Sequence, residues 1–437
     1  MIRLQSPEPA VAVRSVDLTQ PLSPLQDVDH ATTVEVVVTR GELFVGRITL
    51  CNGRRTVSRG ELRDAIAEQI GPALLARTCA DADAWTHAWT ALSAALLPSR
   101  TTAPPLPTAL PKDVPVTIAV STYDRPDALR TCLTALQSEV QKSARPVELL
   151  VVDNHPQSGR TRPVVEAFPD VRYVAEPRAG LAYARNAGFS AATGAICVTT
   201  DDDVIVPDGW LETLLAPFAR HDVMAVTGNV MPYTLDTPAQ QLFESYGGLG
   251  RGATRKVATR AWFDAHKRTA VPTWNLGATA NAAVRLSVFG DTIRGMHEAL
   301  GPGTPTGVGE DTYLFYQLLK KGHVVIYEPD AFVWHRHRRT RRALRKQVYN
   351  YSKGHVAYQL ATVLEQGDVR GMVRCLVELP VTFAKRARRR LRGDTPYPLS
   401  MLALEVAGSL VGPVALWRSY RRVRRLGHSD PVQPSSA

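Results

Sequence analysis

The alternation of apolar and polar positions changes rhythm along the chain. After an irregular, proline-containing stretch over residues 1–30, TTVEVVVTRGELFVGRITL gives two apolar runs around an Arg–Gly–Glu turn. That pattern predicts a β-hairpin. SRGELRDAIAEQIGPALLAR and DADAWTHAWTALSAALL predict helices. Ser58 caps the first, with Glu61 three residues on completing a capping box. The expected result is a small α+β domain over 1–97. Residues 98–115 carry six prolines and predict a linker.

From Val116 the pattern changes to alternating strands and helices. VTIAVSTY, VELLVVDN, RYVAEP and GAICVTTDDD predict strands. RPDALRTCLTALQSEV, with Leu129, Leu133 and Leu136 on one face, and GLAYARNAGFSAAT predict the intervening helices. A β-α-β-α-β order means an α/β fold with a twisted, mostly parallel sheet and helices on both faces. A mixed region over 221–300 follows, then a helix from Glu310 to Lys321 stopped by Gly322, then the strand HVVIYEPDAFVWH. This catalytic-type domain is expected over 116–340. Residues 341–427 predict a basic helical region, and 428–437 a disordered tail.

Charge sharpens the last of these. Of the net +11, His335–Arg425 holds 21 Arg and Lys against 5 Asp and Glu, leaving the remainder near −5. Such asymmetry suits a polyanionic partner, here an anionic membrane surface or a phosphorylated substrate. The stretch 396–417 is long enough to span a bilayer. Glu405 at its middle, Pro413 and basic flanks favour instead a helix pair on a membrane surface or folded against the domain. The five cysteines are scattered without a CxxC pair, which argues against a zinc site or disulfide framework and suits a reducing compartment. The first twenty residues lack the apolar core of a signal peptide.

The chemistry concentrates where β-prone Ile196–Cys197–Val198 runs into Asp201, Asp202 and Asp203. Adjacent carboxylates at a strand's carboxyl end need a positive partner, and a hard divalent cation, Mn²⁺ or Mg²⁺, is the expected one.

VTIAVSTYDRP, ELLVVDNHPQSGRT, EPRAGLAYARNAGFSAATGAICVTTDDDVIVPDGWL and GEDTYLFYQLLKKGHVVIYEPDAFVWH resemble, in order and spacing, the blocks of family 2 glycosyltransferases over about residues 114–340. The resemblance implies the GT-A fold, a Rossmann-like nucleotide-sugar-binding sheet. It also implies inverting transfer from a nucleotide sugar, a UDP-sugar foremost, to an acceptor hydroxyl. Asp201 and Asp203 match the DxD motif, with Asp203 the direct metal ligand, Asp201 on the ribose or metal, Asp202 between them, and His335 completing the metal shell. Ser121, Tyr123, Asp153, Arg185 and Asn186 would line the nucleotide site. Asp311 would be the catalytic base, Glu310 would orient it, and Trp274 and Asn281 would line the acceptor pocket. The QxxRW motif of processive synthases is absent, so a single transfer per encounter is expected. The acceptor would be a saccharide, a lipid-linked species or a small molecule, within cell-envelope glycan synthesis. The site of action would be cytoplasmic, peripheral at the inner face of the membrane.

Two other readings use the same residues. A nucleotidyltransferase would show a glycine-rich basic loop after the first strand, where STYDRPDALR stands instead. A nucleic-acid or membrane-binding protein with a non-catalytic domain would leave the acidic clusters unexplained, so no nucleic-acid partner is expected.

Overall fold

The computed structural model describes residues 11–52, 55–78, 110–290, 292–393 and 397–432. The helix expected over 81–97, most of the proline-rich linker and the last five residues lie outside the described residues. So do 1–10.

The hairpin forms as β2 (Thr33–Arg40) and β3 (Leu43–Cys51), antiparallel around Gly41. Irregular chain was expected before it, but Val11–Asp17 forms a strand, β1, parallel to β2. Its partner is distant in sequence, and short alternations such as VAVRSVD are readable only once that partner is known. Helix α1 (Arg59–Thr78) packs on this sheet. Ser58 Oγ accepts the Glu61 amide at 3.3 Å, and the Glu61 carboxylate accepts the Ser58 amide at 3.0 Å, the reciprocal cap expected. The unit has its own core around Val34, Val36, Ile48, Leu62 and Ile66. It docks on the main sheet through Val37 and Phe44 against Met231 and Phe332.

The main domain alternates β4 (Val116–Thr122), α2 (Pro126–Lys142), β5 (Val147–Asp153), β6 (Val171–Ala175), α3 (Leu181–Ala191), β7 (Ile196–Asp201) and the short β8 (Val204–Ile205). Then come β9 (Val223–Pro232), helix α4 (Pro238–Ser245), β10 (Lys256–Ala258), β11 (Asn281–Arg285), helix α5 (Glu310–Lys320) and β12 (Val324–His335). The strand order is β10-β12-β9-β11-β7-β4-β5-β6, with β8 pairing β12. Strands β7, β4, β5 and β6 are parallel; β11 is inserted antiparallel between β7 and β9. Both faces are covered. One core gathers Leu129, Leu133, Leu136, Trp210 and Leu214, and the other Phe189, Tyr313, Phe315 and Leu318. This is the two-sided α/β architecture that the sequence period predicts.

The carboxyl-terminal region is helical: α6 (Arg341–Gln366), a short turn of helix at Arg370–Val373, a π-turn at Arg374–Glu378, α7 (Leu379–Leu391) and α8 (Leu399–Leu426). Helix α8 is long and apolar enough by composition to cross a membrane. One stripe of it, Met401, Leu402, Glu405, Gly408, Gly412, Ala415 and Ser419, is buried. There Gly408 and Gly412 bring its backbone against Tyr349, Lys353 and Val356 of α6. Glu405 accepts hydrogen bonds from Arg386 at 2.7 Å and from the Tyr397 hydroxyl. The charge that complicated the stretch in the sequence is thus paired inside the helix bundle.

Candidate active site

Strand β4 lies between β5 and β7, with Ser121 opposite Asp201 and Thr122 opposite Asp153. The chain proceeds from β4 to β5 and β6 on one side, then returns to β7 on the other, so the strand order reverses here. Open α/β sheets bind ligands outside the carboxyl ends of the strands at such a reversal. Asp153 is fully buried, and its carboxylate accepts the Tyr173 hydroxyl at 2.8 Å and the His155 amide at 3.0 Å. Burial, helped by Asp153, pushes the Tyr173 phenol up to about 12. Tyr123 is half exposed and stacks on His155, with ring centroids 4.9 Å apart and planes within 5°. The two rings form an aromatic shelf beside Asp153. Ser121 is buried at the strand end.

The three aspartates separate into different surroundings. Asp202 points inward and is buried, accepting Thr122 Oγ1 at 2.7 Å and Arg125 Nη1 at 3.0 Å. Burial pushes its carboxyl up to about 6, against the pull of Arg125. Asp203 takes the same Arg125 Nη1 at 2.8 Å on one oxygen and faces His335 Nε2 at 3.3 Å with the other. Burial alone would raise its pKa, but the His335 hydrogen bond and the His335, Arg125 and Arg338 charges hold it well below the usual range. Asp201, partly exposed, receives Arg185 Nη2 at 2.9 Å. Part of the positive charge that the cluster demands is therefore Arg125 and Arg185. Arg125 was missed because nothing in STYDRP reveals that its side chain reaches carboxylates 77 and 78 residues away. Asp201, Asp203 and His335 together offer two carboxylates and an imidazole, a donor set that suits Mn²⁺ or Mg²⁺ with a phosphate. Among the described residues no three His, Cys, Asp or Glu side chains are already gathered around one point.

Helix α5 brings the second acidic pair. Gly309, at φ +117°, turns the chain so that Glu310 and Asp311 occupy the first helical turn. Glu310 is buried and accepts Arg185 Nη1 at 3.1 Å, so a single guanidinium ties the end of β7 to the start of α5. Burial, with the Asp311 charge adding, raises the Glu310 carboxyl to about 7 despite Arg185. Arg185 Nε is buried without a partner, a spare donor of the kind that anionic ligands satisfy. Asp311 is partly exposed, with Oδ1 accepting its neighbour Thr312's amide at 2.6 Å.

Asp201, Arg185, Glu310, Asp311, His335 and Trp274 line one cleft of about 1030 Å³. Its opposite wall comes from α6, α7 and α8, through residues such as Lys346, Asn350, Phe383, Arg386 and Ser409. No motif in the sequence marks that wall. Trp274 packs edge-on against His355, with centroids 4.7 Å apart, and under the Arg374 guanidinium. Two expected residues stand elsewhere. Asn186 is buried, its amide spent on the backbone of Met296 at 2.6 and 2.9 Å, where it holds the 292–309 loop rather than a nucleotide. Asn281 is also a core residue. It donates to the carbonyls of Asn229 and Ala331 and accepts Trp210 Nε1 at 2.9 Å, knitting β11 to its neighbours rather than lining the cleft. A polar side chain in a matching block reads the same in sequence whether it faces a ligand or satisfies buried backbone.

Residues 117–290 match the family model described as Glycosyl transferase family 2. The pre-mycofactocin glycosyltransferase of Mycobacterium tuberculosis is 29% identical over 255 residues, 56% of this chain and 47% of that protein. The succinoglycan biosynthesis protein ExoM of Rhizobium meliloti is 26% identical over 223 residues, 50% of this chain and 65% of its own. The chain thus spans about half to two thirds of the length of these curated relatives. Among solved structures, the mannosyltransferase PcManGT from Pyrobaculum calidifontis, in complex with GDP-Man and Mn²⁺, aligns at a TM-score of 0.38 and 19% identity. That alignment covers 72% of this chain and 76% of the other.

Proposed function

We propose that this chain, whose residues 117–290 match the family 2 glycosyl transferase model, moves one sugar from a UDP-sugar donor to an acceptor hydroxyl with inversion. The observation that supports this reading is the Arg185 bridge, which ties Asp201 at the end of β7 to Glu310 at the start of α5 in the lining of one cleft that Asp311 also lines. On this reading the base of the nucleotide lies on the Tyr123–His155 shelf with its imide N–H toward Asp153, and Arg185 Nε takes up a phosphate oxygen. Asp201, Asp203 and His335 would hold a divalent cation, which when bound neutralises the charge that develops on the departing diphosphate. Asp311, the more exposed of the pair, takes the proton from the acceptor hydroxyl as that oxygen attacks. Glu310, buried behind it, fixes Arg185 and the start of the helix.

The acceptor side of the cleft is basic, with Arg251, Arg338, Lys346, Arg374 and Arg386 on its walls. Such a wall suits an acceptor that carries phosphate, such as a lipid-linked saccharide. Outside the cleft, Leu376, Val377, Val381 and Leu391 are exposed beside Arg388, Arg389, Arg390 and Arg392. On α8, Leu410, Val414 and Trp417 are exposed as well. Apolar side chains among arginines favour peripheral binding to the anionic, cytoplasmic face of a membrane.

Thermal unfolding with UDP, GDP, dTDP and CDP, each with and without Mn²⁺, tests the donor side. The expected result is a stabilisation by UDP that needs the metal and is lost in Asp203→Ala. Asp311→Asn should keep that stabilisation while lowering turnover by about 10²–10⁴-fold. Folded protein that no nucleotide stabilises would sink the reading.

A further inference from the structure

His335 is the last residue of β12, and a chain of hydrogen-bonded side chains leads from it to the amino-terminal unit. His335 Nδ1 lies 3.0 Å from His337 Nδ1, and His337 Nε2 lies 2.7 Å from Glu244 Oε1. Glu244, on α4, accepts Arg47 Nη1 at 2.6 Å on its other oxygen. Arg47 belongs to β3, in the three-stranded sheet to which the proposed chemistry assigns no part. His337 is almost wholly enclosed, with the ring of Phe243 edge-on at 5.0 Å. Its imidazole plane is therefore fixed.

The order of donors along this chain follows from one end. An ionised carboxylate only accepts, so Glu244 accepts a hydrogen bond from His337 Nε2–H. A neutral His337 then presents Nδ1 as an acceptor, and the contact at 3.0 Å requires a hydrogen on His335 Nδ1, beside the one that Nε2 donates to Asp203 in the metal-free protein. That leaves His335 Nε2 as the nitrogen turned to the Asp203 carboxylate, 3.3 Å away. Metal-ligating histidines are oriented in just this way, by what their other ring nitrogen donates to. Here the partner is a second histidine, and the charge that anchors the series comes from another sheet.

We infer that His337, Glu244 and Arg47 are positioning residues that fix the ring and tautomer of His335 for a divalent cation shared with Asp203, so that the amino-terminal unit acts as an outer support of the metal site. The inference rests on the metal reading proposed above. Arg47 also lies 3.4 Å from Glu35 on β2, so its position is set by its own sheet before it reaches the main domain.

The test is binding of Mn²⁺ alone to the full chain, followed by the electron paramagnetic resonance signal of the free ion, in wild type, Glu244→Ala, Glu244→Gln and Arg47→Met. Glu244→Ala should weaken Mn²⁺ binding by about 10–100-fold, the usual effect of losing an outer partner. Glu244→Gln, whose amide oxygen still accepts His337 Nε2–H, should recover most of it. Arg47→Met should show a smaller loss of the same kind, and as a surface-edge change it serves if Glu244→Ala fails to fold. Nitrogen-15 histidine NMR of the metal-free wild type gives a readout independent of the metal. It should show His337 carrying its hydrogen on Nε2, a preference that Glu244→Ala removes. Unchanged Mn²⁺ affinity in folded Glu244→Ala or Arg47→Met overturns the inference while leaving the metal reading standing. A wild type that binds no Mn²⁺ overturns both.

Discussion

His355 Nε2 accepts a hydrogen bond from Arg374 Nε at 3.1 Å, beside the edge of Trp274. Burial, with the Arg374 charge adding, holds its pKa down to about 3. In the unfolded chain the same group titrates near 6.5. Between those values the unfolded state binds the proton and the folded state does not. The stabilising contribution is therefore complete above pH 6.5 and is lost as pH falls toward 3. Urea unfolding of wild type from pH 7 to 5 should lose stability by up to about 1.4 kcal/mol per pH unit from this group. His355→Gln should flatten that slope; an unchanged slope would mean that His355 is protonated in the fold. The same scale shows where sequence reading stops. The run Asp201–Asp203 announces a need for positive charge, yet only the folded chain reveals that Asp202 meets it inward, through Thr122 and Arg125.

Among the elements, β4, β5 and β7 follow their apolar runs closely because they are buried on both faces, and α2 follows its helical period because Leu129, Leu133 and Leu136 bury one face. Strand β1 does not, since its identity depends on a parallel partner. The cleft wall formed by α6, α7 and α8 carries no local mark either, because its residues come from three helices brought together only by packing. The contact of α6 with α8 shows why that packing holds. A Cβ on Gly408 would stand 2.5 Å from the Tyr349 carbonyl oxygen, and one on Gly412 would stand 2.7 Å from Val356 Cβ. Backbone at that distance cannot step aside as a side chain can. Gly408→Val should therefore cost about 1–3 kcal/mol, read as a lower urea midpoint. It should also weaken whatever the outer cleft wall binds. A variant as stable as wild type would mean that the two helices do not pack this closely.

For the whole molecule, charge and apolar surface coincide on the carboxyl-terminal helices, while the sheet carries the carboxylates. If that surface meets an anionic membrane, co-sedimentation with vesicles containing phosphatidylglycerol should be strong at low salt and weak at high salt. Neutral vesicles should retain little. Replacing Arg388, Arg389 and Arg390 with serine removes about 1 kcal/mol per residue, so vesicle binding should fall on the order of 100-fold. Equal binding to neutral vesicles would point to the apolar side chains alone. The cleft itself has a further consequence. Its inner wall comes partly from the segment that matches the family model and partly from residues 302–335, and its outer wall from helices beyond residue 340. Mutation and selection can therefore act on the two walls separately. A lineage that keeps the strand ends and α5 while its outer helices diverge would retain the proposed transfer chemistry and change its clientele.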